Sequence, residues 1–278
     1  MIAETRAGYG GVGTRVLSVA GDGTPVVLFH GYADSADTWR GVLARLDEMG
    51  RTAFAVDLPG FGQADRRGPG PMLPQFDAFA DAILAEHGPA ILVGNSLGAA
   101  TAVRAATRNP DRVTALVALD DPLNARHWLA RLARSRELPV RFWKGLGRVP
   151  VPARAWQWVG SQSLRRVLYG SPSAADPAVM AHWLGTFEST ASVATLGRYA
   201  FQYAHETTGG HRDVRVTCPT VVVHGARDRI IPVQASHVLH QQIPGSELVV
   251  LPRAGHCPQL DDPDAVTRLV IGIGASRR

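Results

Sequence analysis

Cysteine is scarce in this chain of 278 residues: Cys218 and Cys257 are the whole set. Two isolated thiols supply neither a disulfide framework nor the paired spacing of a zinc site, so no metal is expected. Lysine is scarcer still, since Lys144 stands alone among basic residues that are otherwise arginines. The formal charge of +5 therefore reads as a bias toward arginine rather than a footprint for a polyanion, and no nucleic-acid partner is expected. No apolar run approaches the ~20 residues that span a bilayer. The N-terminus up to Gly13 holds charges and glycines but no apolar core segment, which leaves a soluble, cytoplasmic protein as the expectation. Internal repeats and low-complexity tails are missing as well. What the chain does have is core material: 45% of it is hydrophobic, enough for one domain or for one domain carrying a large insertion.

The rest of the chain is organised around Ile91-Leu92-Val93-Gly94-Asn95-Ser96-Leu97-Gly98. Residues 90–93 read as a buried strand and the alanine-rich residues 99–108 as a helix, with the Gly-x-Ser-x-Gly pattern of Gly94, Ser96 and Gly98 between them. A serine at the apex of so tight a turn has a strained backbone, and the glycines let strand and helix approach without Cβ clashes. Ser96 Oγ then stands out at the carboxyl end of a sheet. The helix begins at once, so the Leu97 N–H and the positive end of the helix dipole face any oxyanion that forms there.

Taken in order, residues 14–20 alternate as an edge strand, and Gly21-Asp22-Gly23 turns into a buried strand at 26–29 that ends in His30-Gly31-Tyr32. Caps at 35–37 start a helix over 38–49 with Trp39, Val42, Leu43 and Leu46 on one face. Residues 52–57 form another strand, closed by the turn Asp57-Leu58-Pro59-Gly60-Phe61-Gly62. A helix carrying Phe76, Phe79, Ile83 and Leu84 precedes the serine turn, and a strand at 113–119 follows it, ending in Asp120-Asp121-Pro122. This strand, turn, helix rhythm implies parallel strands whose carboxyl ends share one rim, where open sheets bind ligands.

From 123 to 213 the rhythm breaks. Helical patterns at 127–136, 153–168, 177–184 and 192–205 replace it, with five of the six tryptophans. Between Leu123 and Ala175 ten cations face Glu137 alone. This stretch is expected to be a helical cap inserted into a core of 1–122 and 214–278. The strand rhythm resumes at 219–224 and 247–251, with helices at 233–242 and 263–273.

A serine hydroxyl needs a base to take its proton, and the base needs a third group to orient it. Among ten histidines, His256 in Gly255-His256-Cys257-Pro258, just past the last strand, is best placed to reach Ser96. Asp228, directly after the strand at 219–224, is the orienting carboxylate of choice, with Asp120 or Asp121 as substitutes. The N–H groups of Tyr32 and Leu97 would receive the oxyanion, and Gly31 lets the backbone come close. His30 is read as tying down that turn, His224 as a strand-end residue in a polar network, and Cys257 as a packing thiol rather than a nucleophile.

His30-Gly31, the Asp57 to Gly62 turn, Gly94 to Gly98, Asn109-Pro110-Asp111-Arg112-Val113, His224-Gly225-Ala226-Arg227-Asp228 and Gly255-His256 together resemble the α/β-hydrolase family over almost the whole chain. The resemblance implies an α/β fold, a mostly parallel sheet flanked by helices with an inserted helical cap. It also implies a cofactor-free Ser96-His256-Asp228 hydrolase acting on a small molecule. Epoxide hydrolases and haloalkane dehalogenases of this fold carry aspartate at the serine's position, which argues against both. A carboxylic ester with a hydrophobic group is the first expectation. Cleavage of a carbon–carbon bond in a diketo acid is the second, and there the family's usual tryptophan after the histidine is replaced by Cys257. Lactones and thioesters remain as further substrates, a ligand-binding protein without turnover as the non-enzyme alternative, and a homodimer is left open.

Overall fold

The computed structural model describes residues 1–125 and 139–275. The helix expected at 127–136, with His127 and Trp128, lies outside the described residues.

Eight strands form one sheet: β1 Ala3–Tyr9, β2 Val12–Val19, β3 Asp22–Phe29, β4 Arg51–Val56, β5 Ala90–Asn95, β6 Val113–Leu119, β7 Thr220–Gly225 and β8 Glu247–Leu251. Their order is β1-β2-β4-β3-β5-β6-β7-β8. β3 to β8 run parallel, and β1 and β2 form an antiparallel ribbon laid against β4. The sheet is therefore mostly parallel, as expected. β5, buried along its whole length, reads as a continuous apolar run because helices cover both of its faces.

Those helices are α1 Arg40–Glu48, α2 Met72–His87, α3 Leu97–Arg108, α4 Val140–Leu146, α5 Ala153–Leu168, α6 Pro177–Gly185, α7 Thr190–Glu206, α8 Gln234–Gln242, the single turn α9 Pro258–Asp261 and α10 Pro263–Ala275. Phe76, Phe79 and Ile83 of α2, Val103 of α3 and Leu239 of α8 join the core on one face. Val42, Leu43 and Leu46 of α1 and Val266 and Val270 of α10 join it on the other. Ser35 caps the turn leading into α1 by accepting the Asp37 N–H.

One expectation needs correction. Residues 14–20 do not form an edge, because β1 lies outside them. β1 has one fully buried residue, Tyr9, so it lacks the apolar signal of a strand, and its hairpin turns on Gly10 and Gly11, both at positive φ. β2 also pairs with β4, not with β3, which follows it in sequence. That placement lets the buried Arg15 of β2 reach Asp57 just beyond β4, with Nε 3.0 Å from Oδ2. The short α4 and α9, flanked by proline and glycine, escaped the sequence reading; α5, α6 and α7 fall where helices were expected. The segment between β6 and β7 contains no strand among the described residues.

Candidate active site

β5 delivers Ser96 to the carboxyl edge of the sheet. The serine backbone sits at φ 53°, ψ −117°, a strained conformation for a residue with a Cβ. It is held by its N–H, which donates to Leu119 O at 2.8 Å, and its carbonyl, which accepts the Ala100 N–H at 3.0 Å. A Cβ on Gly94 would collide with the Gly98 carbonyl, and one on Gly98 with the Phe29 carbonyl. Only glycine fits at either side of the serine.

His256 follows β8, and its Nδ1 lies 2.7 Å from Asp228 Oδ2. A carboxylate can only accept, so Nδ1 is the ring nitrogen that donates here, and Nε2 is the one turned away from Asp228. Asp228 Oδ1 accepts the N–H groups of Ile230 (2.6 Å) and Ile231 (3.0 Å). Burial alone would raise the Asp228 pKa, but His256 and these amides hold it below the ordinary value. Neither substitute acid hydrogen-bonds to His256. Asp120 Oδ1 accepts the Gly225 N–H at 2.9 Å, and Asp121 Oδ2 meets His211 Nε2 at 2.9 Å.

Ser96 and His256 line one cavity of about 410 Å³, together with Gly31 and Tyr32. Leu97 is the first residue of α3, so its amide has no intrahelical acceptor. Neither that amide nor the Tyr32 amide has a hydrogen-bond partner among the described residues. A Cβ on Gly31 would stand 3.2 Å from Asn95 Oδ1 and 3.5 Å from Ser96 Cβ, which shows how closely this turn approaches the serine. His30 anchors the turn from behind: Nδ1 donates to Gly31 O (2.7 Å) while Nε2 accepts the Leu58 N–H (2.8 Å).

The far wall is apolar, with Leu164 and Val167 of α5, Trp183 of α6 and Leu196 of α7. No arginine or lysine lines the cavity among the described residues. Asp34 is the one acidic residue there among the described residues, and burial pushes its carboxyl well above the usual carboxylate range. Cys257 also lines it, but burial pushes its thiol well up, so it stays protonated and is a poor nucleophile.

These parts sit in a chain whose residues 24–263 match a family model described as the alpha/beta hydrolase fold. The chain belongs to the α/β-hydrolase family. A pimeloyl-[acyl-carrier protein] methyl ester esterase of Chromobacterium violaceum is 33% identical over 88% of this chain and 91% of its own length. An esterase of Mycobacterium tuberculosis is 28% identical over 92% of this chain and 85% of its own. Among solved structures, 2-hydroxy-6-oxo-6-phenylhexa-2,4-dienoate hydrolase from a Rhodococcus species is 26% identical with a TM-score of 0.74, covering 98% of both chains. This α/β-hydrolase is thus similar to enzymes named for hydrolysis, and is itself an enzyme of that kind.

Two residues that hold this α/β-hydrolase site together were missed in the sequence. Asn95, inside the serine motif, donates from Nδ2 to the His256 carbonyl at 2.8 Å. Asp261 of α9 accepts the N–H of Gly255 (2.7 Å) and that of Gly170 (2.9 Å), fastening the His256 loop to the end of α5. A polar residue in an otherwise apolar strand end was the available signal for Asn95. Asp261 had none, because its partners are backbone groups distant in sequence.

Proposed function

We propose that this α/β-hydrolase cleaves a carboxylic ester with an uncharged, hydrophobic group, through an acyl-enzyme on Ser96. His256 Nε2 takes the Ser96 proton as Oγ attacks the carbonyl carbon. Asp228 orients the ring and stabilises its charged form. The N–H groups of Tyr32 and Leu97 receive the oxyanion, each donor of this type being worth roughly 3 to 4 kcal/mol of barrier lowering. Protonated His256 then gives its proton to the leaving alcohol, and water activated by the same nitrogen frees the acid. Residues 123–213 act as the cap that closes the hydrophobic subsite.

The observation that carries this reading is a largely apolar cavity that contains both Ser96 and His256 and, among the described residues, has no arginine or lysine in its wall. A diketo acid would bring a carboxylate into that cavity, where none of the described lining residues is a cation to pair it, at a cost of several kcal/mol. The relatives named as esterases point the same way.

The test is labelling with a fluorophosphonate, followed by turnover of p-nitrophenyl esters of graded chain length. We expect one adduct on Ser96 and a loss of about 10⁴-fold or more in kcat for Ser96→Ala. Labelling that survives the substitution, or faster turnover of a vinylogous diketo acid than of any ester, would overturn the assignment.

A further inference from the structure

The second carboxyl beside His256 has no role in the mechanism above. Asp120 ends β6 as Ser96 ends β5, and it too is a non-glycine residue at positive φ, 50°. Its N–H donates to Val223 O at 2.9 Å, and its side chain is fully buried. Oδ1 accepts the Gly225 N–H, while Oδ2 has no hydrogen-bond partner among the described residues. The charged and titratable groups around it are Asp228 beyond β7, His224 within β7, Asp261 of α9, and His256 and Cys257 beyond β8. No arginine or lysine pairs with Asp120 or Asp228 among the described residues.

His224 cannot supply the missing charge. Its Nε2 lies 3.1 Å from the Ile231 carbonyl, which only accepts, so Nε2 bears the proton of the neutral ring. Nδ1 then presents a lone pair, which takes the Ser236 hydroxyl at 2.8 Å and faces Asp120 Oδ1 at 3.2 Å. Burial lowers the His224 pKa further. An ionised Asp120 would thus be enclosed by a lone pair on one side and the Asp228 carboxylate on the other. Donor atoms of Asp120, His224 and Asp228 lie within 4.8 Å of one another, a spacing a cation could use, yet those of His224 and Asp228 are already committed to other partners.

We propose that Asp120 is a neutral carboxylic acid whose Oδ2–H donates to the Asp228 carboxylate, so that a pair of carboxyls sharing one negative charge orients His256. Two buried carboxyls with oxygens within 4.8 Å of each other hold one proton between them, because both cannot ionise without a counter-cation. Burial and then Asp228 push the Asp120 carboxyl well above the usual range, while Asp228 stays low, the opposite directions that one shared proton demands. Asp120 is a positioning residue. By donating to Asp228 it lowers the proton affinity of that carboxylate, which stays ionised when His256 becomes charged.

The proposal rests on the triad reading only in its kinetic arm. Asp120→Asn keeps an acceptor for Gly225 and a neutral donor toward Asp228, and asparagine tolerates the left-handed backbone. The acid limb of kcat/KM against pH is expected to stay within about 0.3 unit of wild type, since no charge is removed. Asp120→Ala removes the donor and is expected to lose about tenfold in kcat at unchanged KM. A downward shift of the acid limb by about one unit or more in Asp120→Asn would mean that a negative charge had been removed, and would overturn the proposal. Difference infrared spectroscopy of wild type against the asparagine variant at about pH 8 reads the proton without turnover. A protonated-carboxyl stretching band in wild type alone is the expected result; its absence refutes the proposal even in an inactive protein. Asp120→Ser, also a neutral donor, supplies the same subtraction should the asparagine variant not fold.

Discussion

At the residue scale, His30 shows how a motif histidine can be structural and hold a turn beside the candidate site. Both ring nitrogens are engaged, and full burial pushes its pKa down to about 4, so the neutral ring holds the Tyr32 turn. The unfolded chain takes a proton near the ordinary value of about 6.5, which the folded chain refuses until about 4. Stability is therefore fully present above about 6.5 and declines as pH falls toward 4, by on the order of 3 kcal/mol from this residue. Urea midpoints across that window should fall less steeply for His30→Gln than for wild type; identical slopes would refute the account. His30, Ser96, Asp228 and His256 were legible as residue types in motifs at strand ends. Asn95 was not, because its role is a bond from its side chain to a loop 161 positions away.

At the element scale, the charged cluster where β2 meets β4 decides more than either strand does alone. Arg15 is buried against Asp57 at 3.0 Å and Asp37 at 2.6 Å, and Asp57 also accepts the N–H groups of Ala36 (2.7 Å) and Gln63 (2.8 Å). Burial alone would raise the Asp37 pKa, but Arg15 and Arg40 hold it down to about 2. Removing the guanidinium leaves Asp57 as an uncompensated buried charge. Arg15→Met should cost about 3 to 5 kcal/mol in urea unfolding, and a loss under about 1 kcal/mol would show that the amides alone satisfy Asp57. The apolar runs of β3 to β7 and the amphipathic faces of α1 and α2 were legible because burial on known faces imposes a period. The polar β1 was not, and the partner of β2 depended on a contact between Arg15 and a residue 42 positions on.

At the scale of the whole molecule, the cavity exists only because chain from both sides of the sheet's topological break meets over Ser96. α5, α6 and α7 supply its ceiling, and Asp261 fastens the end of α5 to the loop that carries His256. Gly170 and Gly255 touch so closely there that a Cβ on Gly255 would stand 2.5 Å from Gly170 N. Leu164→Trp, which fills the ceiling, should move ester preference toward shorter chains. Each methylene excluded is worth about 0.8 kcal/mol, roughly fourfold in kcat/KM. An unchanged chain-length profile would place the acyl group elsewhere. The sequence by itself determined the α/β class, the helices within 153–206 and the residue types at the strand ends, because local periodicity, glycine-enforced turns and capping act over a few residues. The tertiary structure alone decided that β2 lies against β4, that His256 takes Asp228 rather than Asp120, and that no arginine or lysine among the described residues lines the cavity. Each of these depends on which distant side chains burial brings together, and on whether the charges so enclosed can be paired.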